Sequence, residues 1–162
     1  MMLNYEGIQD FLFKEARAQS ERRWEDWLAF YSEDVEYHMP SWADDDTPTT
    51  DPLREVSLIY YPNRQGLEDR VFRIETDRSS ATIPDTRYNR TISNLEILSR
   101  TDASVEVCFN WTTHTYRYHT TDVYFGVSRY TLDTSGEKPL ITKKHVLLKN
   151  DYIHHVLDVY QV

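Results

Sequence analysis

Closely spaced strand-forming segments occupy the second half of the chain, from Ile92 to Val162. They are rich in β-branched and aromatic residues, which favour the pleated surface of a sheet. The segments are Ile92–Leu98, Ser104–Tyr118, Val123–Leu132, Leu140–Lys149 and Tyr152–Tyr160. The breaks between them hold turn-forming residues, at Thr101-Asp102, Thr120-Thr121-Asp122, Asp133–Gly136 and Asn150-Asp151. Because a parallel return needs a crossover of roughly a dozen residues, these short breaks predict an antiparallel meander in one sheet.

The segment Ser104–Tyr118 alternates in a way that predicts one buried face. Its odd positions are apolar from Val105 to Trp111, whereas its even positions are mostly polar. From Thr113 onwards the odd positions become polar as well. The strand could leave the core there, line a cavity or meet a partner, and the pattern leaves these three interpretations open.

The first half of the chain predicts helices and short strands. Tyr5–Gln19 has apolar residues at helical spacing behind a candidate N-cap, Asn4. The other predicted elements are a short helix capped by Ser20 that carries Trp24 and Trp27, a strand Val35–Met39 ended by Pro40, an exposed acidic loop Ser41–Leu53, a strand Val56–Tyr61, a helix Gly66–Glu75 and a loop Thr76–Asn89.

This order of elements predicts the α+β class and a single domain, residues 1–162. Long antiparallel sheets twist strongly and curl. We expect the N-terminal helices to pack in the concave face of the curled sheet, which would give a cone with a pocket.

Composition limits the partners and the compartment. The net charge of −9 makes nucleic acid and anionic membranes poor partners. No apolar run approaches the roughly 18 residues of a membrane span, and the N-terminus lacks the pattern of a secretion signal. The one cysteine, Cys108, cannot form an internal disulfide, and its strand position predicts a small buried hydrophobe. We therefore predict a cytoplasmic protein.

Most site chemistries are excluded by residue counts and spacing. The four glycines form neither a dinucleotide-binding fingerprint nor a phosphate loop. One cysteine cannot supply a Rieske cluster, another ordinary iron–sulfur cluster or a zinc site built from cysteine pairs. None of the six histidines forms H-E-x-x-H, and Asp44-Asp45-Asp46 lacks the spacing of a calcium loop. We predict no catalytic, cofactor-binding or metal-binding residue on this chain.

One constellation is left as a possible acid–base site. His38 and His114, with Tyr60 or Asp85 nearby, could transfer protons in a cone pocket. The alternative interpretation is that these four residues are ordinary polar residues of the surface or core.

Several long segments resemble the small (beta) subunit of aromatic-ring-hydroxylating dioxygenases, in the branch of the benzoate and anthranilate 1,2-dioxygenases. The resemblance extends over nearly the whole chain. The segments that carry it are Ser57–Tyr61, Gly66–Ile74, Arg78–Arg87, Ser93–Ile97, Tyr124–Gly126, Tyr130–Thr134 and Leu148–Ile153, together with Phe11-Leu12, Glu15–Arg17, Trp24 and Trp27.

The resemblance implies a fold, a partner and a reaction. The fold would be the cone shared with nuclear transport factor 2, scytalone dehydratase and ketosteroid isomerase. Three small subunits would contact one another and three large subunits, which would carry the Rieske [2Fe–2S] cluster and the mononuclear Fe(II). A reductase would deliver electrons from NADH, and both atoms of oxygen would enter an aromatic acid. The small subunit would be mainly structural.

Arginine and aromatic residues, which are favoured at subunit interfaces, suggest where the large subunit binds. The candidate contact residues are Tyr60, Tyr61, Arg64, Asp69, Arg70 and Arg73. The alternative is that the arginines belong to a solvated helix face. The substrate could be benzoate, anthranilate, a halobenzoate or a toluate. Two other functions are considered: an independent lyase or isomerase that uses the cone pocket, and a binding protein for a small aromatic ligand.

Overall fold

The computed structural model describes residues 3–80, 85–151 and 157–162, and these residues form an α+β fold. Its elements are α1 (Tyr5–Ser20), α2 (Trp24–Leu28), β1 (Tyr31–Pro40), β2 (Ser57–Tyr61), α3 (Arg64–Ser80), β3 (Arg87–Arg100), β4 (Ser104–Arg117), β5 (Thr120–Asp133), β6 (Leu140–Leu148) and a 3₁₀ turn (Val159–Gln161).

The six strands form one curled, unclosed sheet in the order β2-β1-β6-β5-β4-β3. Strands β3 to β6 are antiparallel neighbours, which confirms the predicted meander. β1 runs parallel to β6, with His38 opposite His145, so the prediction of a wholly antiparallel sheet is wrong at this pair. The turn-length argument constrains only strands joined by short connections, and about a hundred residues separate β1 from β6.

Helix α1 begins where the sequence predicts. The Asn4 side chain accepts a hydrogen bond from the Gly7 backbone N–H at 2.8 Å, as an N-cap does. The buried stripe of α1 includes Ile8, Leu12 and Ala16, and the helix packs against β3. The apolar spacing therefore explains both the helix and the face that it buries.

The predicted cap of the second helix is wrong. Ser20 is the last residue of α1, and its hydroxyl donates to the carbonyl oxygen of Arg17. The backbone turns only at Arg22, which has a φ of 58°, and α2 then begins at Trp24 with no side-chain cap. Ser20 precedes this turn and cannot cap the helix that follows it.

The alternation of β4 is confirmed and extends further than its apolar residues. Val105, Val107, Phe109 and Trp111 are buried, and the same face continues through buried Thr113 and Thr115. Of the three interpretations left open, the burial of Thr113 and Thr115 contradicts the first, because the strand does not leave the core at this point. The buried hydrophobic residues form one cluster that includes residues of α1, α2, α3 and strands β1, β4, β5 and β6.

Several predicted boundaries are wrong. β1 begins at Tyr31, four residues before the predicted start, and α3 extends to Ser80, into the predicted loop. That loop also ends early, because β3 begins at Arg87. The β4–β5 turn lies at Tyr118-His119, before the predicted Thr120-Thr121-Asp122.

The last predicted strand, Tyr152–Tyr160, lies partly outside the described residues, and its end is a 3₁₀ turn at Val159–Gln161. Among the described residues, no helix combines the length and apolar character that a membrane span requires.

Candidate functional site

A buried ion pair lies between α1 and the concave face of the sheet. Glu15 of α1 and Lys144 of β6 are 1% and 0% exposed, and the Lys144 Nζ is 3.5 Å from the Glu15 Oε1. The same carboxylate oxygen accepts hydrogen bonds from the Trp27 indole N–H at 2.8 Å and the Tyr31 hydroxyl at 2.7 Å. The Tyr31 hydroxyl in turn accepts one from Lys144 at 3.1 Å. These bonds satisfy two charges that would otherwise be costly to bury.

Aromatic rings surround the ammonium group of this pair. The Lys144 Nζ lies 5.1 to 5.7 Å from the ring centroids of Tyr31, Tyr37 and Tyr130, within the range of cation–π attraction. Burial lowers the pKa of Lys144 to about 8, while Glu15 opposes that shift. Burial alone would raise the pKa of Glu15, but Lys144, Arg90 and the two hydrogen bonds together hold it below its usual value. Both groups are therefore charged at neutral pH.

The structure does not assemble the proposed acid–base constellation. His38 and Tyr60 are cross-strand neighbours with ring centroids 5.7 Å apart. They lie on the outer face of the sheet, since Tyr37 and Met39 on either side of His38 point to the core. His114 is exposed in β4 opposite Val123, three strands from β1. Asp85 lies beside Arg22, 3.4 Å from its guanidinium.

The surroundings of His38 indicate a neutral imidazole. Its Nε2 is hydrogen-bonded to the Ser57 hydroxyl at 3.0 Å, and its ring meets the edge of the His145 ring at 5.4 Å. Burial lowers the pKa of His38 and of His145. Cys108 lies on the same outer face and is only partly buried, so the prediction of a small buried hydrophobe is wrong.

Two of the predicted interface arginines are engaged within the chain. Arg64 donates to the Tyr31 carbonyl oxygen at 3.1 Å and pairs with Glu68. Arg70 binds both carboxylate oxygens of Asp158. These bonds tie α3 to β1 and to the last described segment of the chain.

The other predicted contact residues lie on or beside α3. Tyr61 packs beneath α3, where an added Cβ at Gly66 would come within 2.3 Å of its ring. Asp69 and Arg73 are exposed. Phe72, which the sequence analysis missed, stands between them with 70% of its surface exposed. A large apolar residue on the charged side of a helix is a signal that the sequence could have provided.

A cavity of about 220 Å³ opens between the helices and the ends of β3 and β4. We call it the mouth pocket, and it is lined by Arg22, Trp24, Arg70, Ile74, Asp85, Thr86, Tyr88, Arg117, Asp158 and Tyr160. Sequence reasoning missed it because these residues come from well-separated segments. Among the described residues, no group of three His, Cys, Asp or Glu side chains could hold a metal ion.

Comparison with solved structures identifies the class of fold. The crystal structure of the beta subunit of benzoate 1,2-dioxygenase from Burkholderia mallei aligns with a TM-score of 0.88 and 48% identity, covering 100% of this chain and 99% of that chain. A provisionally assigned scytalone dehydratase from Novosphingobium aromaticivorans aligns with a TM-score of 0.63 and 13% identity, covering 92% and 87%. The second likeness concerns the fold alone.

Comparison of the sequence with known families and proteins identifies the family of this chain. The family described as "Ring hydroxylating beta subunit" matches residues 14–155, and the chain belongs to this family. It is 55% identical over 162 residues to the toluate 1,2-dioxygenase subunit beta of Pseudomonas putida, covering 100% of both. It is 52% identical over 160 residues to the benzoate 1,2-dioxygenase subunit beta of Acinetobacter baylyi, covering 99% of this chain and 95% of the relative. The resemblance inferred from the sequence is confirmed.

Proposed function

We propose that this chain is the small subunit of a dioxygenase that hydroxylates the ring of a benzoate-type aromatic carboxylate, and that its role is structural. The observation that carries the proposal is full-length similarity to subunits whose names specify toluate and benzoate. Family membership supplies the reaction class, and the names of the relatives supply the substrate class.

The cofactors would belong to the large subunit. A Rieske cluster needs two cysteines and two histidines, and this chain has one cysteine, so its residues do not fit that group. We expect the Rieske [2Fe–2S] cluster and the mononuclear Fe(II) on the large subunit, with NADH supplying electrons through a reductase. The small subunit would act as one domain, residues 1–162, in a cytoplasmic complex of three large and three small subunits, with contacts between the small subunits.

A structural role agrees with the interior of the cone. The concave face around Lys144 is occupied by Glu15, Trp27 and buried tyrosine side chains, all bonded or packed together. An independent lyase or isomerase would need His38, Asp85 and His114 around one cavity, and the structure separates these residues. No observation favours that alternative.

We propose that the large subunit contacts the side of the molecule that carries β2 and the exposed part of α3. The candidate residues stay those predicted from the sequence: Tyr60, Tyr61, Arg64, Asp69, Arg70 and Arg73. Exposed Phe72 beside Arg73 supports this surface, because aromatic and arginine side chains dominate the binding energy of many interfaces.

Co-purification tests the proposal. The tagged chain is co-expressed with the large subunit of a benzoate-type dioxygenase, and the eluate is examined for the partner, for iron and for oxygenation of benzoate when a reductase is added. A complex that contains iron and is active is expected. A chain that elutes alone from cells that contain soluble large subunit would overturn the proposal.

A variant pair tests the surface. Arg73→Glu is expected to lower the yield of the complex, whereas Arg54→Glu is expected to leave it unchanged. Arg54 is a matched control because its side chain is 87% exposed and it lies outside α3, directly after the acidic loop. Equal yields for the two variants would remove Arg73 from the interface.

A further inference from the structure

We infer that His38 and His145 together bind one borderline transition-metal ion, of which Zn²⁺ is the type, on the outer face of the sheet. This inference goes beyond the proposed structural role, and it departs from the sequence-based prediction that no residue of this chain binds a metal. It rests on the register of the two histidines, the distance between their rings, their ring nitrogens and the cavity that they line.

The two histidines stand side by side on neighbouring strands. His38 of β1 is the direct partner of His145 of β6 in the parallel pair. Both side chains point to the outer face, since Lys144 and Val146 on either side of His145 are buried in the core. Only the pairing of β1 with β6 brings the two histidines together, so their spacing in the sequence gives no sign of a site.

The distance between the rings fits one shared ion. A bond of about 2.0–2.1 Å from zinc to an imidazole nitrogen places the ring centroid roughly 3 Å from the metal, so two imidazoles of a tetrahedral site have centroids roughly 5 Å apart. The centroids of the His38 and His145 rings are 5.4 Å apart, with planes inclined by 79°. The strand register therefore already holds the rings at the spacing that one ion requires.

Each histidine has a ring nitrogen that can bind the ion. His38 is 6% exposed, and its Nε2 is hydrogen-bonded to the Ser57 hydroxyl at 3.0 Å. Within the described part of the chain, the His38 Nδ1 has no hydrogen-bond partner, and neither has a nitrogen of His145. A ligating histidine usually donates its other ring N–H to a nearby acceptor, which fixes the ring. Ser57 is positioned to accept that bond, so Nδ1 of His38 is left for the metal.

The two rings line a cavity of about 430 Å³ on the outer face of the sheet. Val127 and Leu147 form an apolar part of its wall. Among the described residues, no third His, Cys, Asp or Glu side chain joins the pair in a metal-binding group. The protein therefore supplies two ligands, and water completes the coordination shell in a cavity that has room for it.

The charged side chains around this cavity are balanced among the described residues. Arg129 and Lys143 line it together with Glu36, and the Arg129 Nε lies 3.8 Å from the Glu106 carboxylate. Two positive and two negative groups give little net attraction for cations in general. Selection then depends on the imidazole nitrogens, which suit Zn²⁺ and Cu²⁺, whereas Mg²⁺ and Ca²⁺ need oxygen ligands.

Titration of the full chain with zinc chloride tests the inference. The chain is prepared without a polyhistidine tag, and calorimetry measures the binding. We expect saturable binding with zinc-dependent shifts of the imidazole NMR signals of His38 and His145, which assign the ion to this pair. Magnesium chloride is expected to leave both signals unchanged, because Mg²⁺ does not favour nitrogen ligands.

Variants locate the site. His38→Gln and His145→Gln each remove one of the two protein ligands, so each is expected to weaken zinc binding at least about tenfold. Ser57→Ala keeps both ligands but removes the bond that fixes the His38 ring, and a loss of about tenfold is expected. His114→Gln is the matched control, since His114 is an exposed histidine of the same face in β4. It should bind zinc as the unchanged chain does, and melting curves verify that each variant is folded.

Bound zinc should also stabilise the fold, because the ion joins β1 to β6 only in the folded chain. The urea denaturation midpoint of the unchanged chain is expected to rise when zinc chloride is added. The midpoint of His145→Gln should stay where it is without the ion.

Three outcomes would overturn the inference: no saturable binding of zinc, unchanged NMR signals of both histidines, or equal zinc affinity of His38→Gln, His145→Gln and His114→Gln. The same variants are co-expressed with the large subunit. A chain that assembles but does not bind zinc would refute the metal site and leave the proposed function standing.

Discussion

Glu15 and Lys144 face each other across the interface between α1 and β6, 3.5 Å apart and shielded from water. Burying two charges is costly, and the cost is offset here by hydrogen bonds from Trp27 and Tyr31 to the carboxylate. The pair therefore joins the first helix to the central part of the sheet, and removing either side chain would leave the other buried without its partner.

Removing one member of the pair should destabilise the protein strongly. Lys144→Met removes the N–H groups that face the Glu15 carboxylate and the Tyr31 hydroxyl, which the side chain of Lys144 supplies whether or not it is charged, so we expect a loss of about 3–5 kcal/mol in the free energy of unfolding. The double variant Glu15→Gln with Lys144→Met should recover part of that loss. Urea denaturation of the single and double variants measures the coupling. If the effects of the two single changes simply add, the pair does not act as a unit.

Stability should rise between pH 8 and about pH 9.5. The pKa of Lys144 is about 8 in the folded chain and 10.5 when unperturbed, so in this interval the unfolded chain binds more protons. The free energy of unfolding then increases with pH. Above pH 10 the tyrosines oppose this trend, because burial raises the pKa of Tyr31 and Tyr130.

Denaturant midpoints at several pH values measure this rise, and Lys144→Met provides the control. The variant lacks the titrating group, so its stability should change little over the same interval. An equal slope in the two proteins would assign the pH dependence to other groups.

Much of the sheet could be predicted because it depends on neighbours in sequence. Short turns determine the pairing of β3 to β6, and the alternation in β4 determines which face is buried. The parallel pairing of β1 with β6 depends on a tertiary contact between distant segments, and no local pattern contains it.

Two features of the site had signals that the sequence analysis did not use. Glu15 lies on the apolar stripe of α1 with Leu12 and Ala16, and Lys144 shares a strand face with Val146 and Leu148. Opposite charges at these two core positions, Glu15 and Lys144, indicate a buried ion pair. Successive side chains of a strand point to opposite faces of the sheet. Because Tyr37 and Met39 point to the core, His38 between them is expected on the outer face.

Adding one methyl group at Gly126 should destabilise the sheet. A Cβ there would lie 1.9 Å from the Leu147 carbonyl oxygen and 3.2 Å from the Trp111 ring, so backbone or core must move. We expect Gly126→Ala to cost about 1–3 kcal/mol in unfolding free energy. Gly136→Ala is the control, since its nearest atom is 3.7 Å away. Equal denaturation midpoints for the two variants would show that the structure around Gly126 accommodates a Cβ without cost.

Replacing the two residues of the β4–β5 turn by Asn-Gly should raise the stability of the protein. Tyr118 and His119 have φ values of 51° and 61°, a combination that type I′ turns require and that Asn-Gly adopts with little cost. The double change Tyr118→Asn with His119→Gly also removes the stacking of Arg117 on the Tyr118 ring, an exposed contact worth about 0.5–1 kcal/mol. Relief of strain at two residues outweighs that loss, so we expect a melting temperature about 2–4 °C higher. A thermal unfolding scan checks this prediction, and His119→Ala is the control because it keeps a side chain at a residue with positive φ. A lower melting temperature in the Asn-Gly variant would show that the Arg117–Tyr118 contact outweighs the strain.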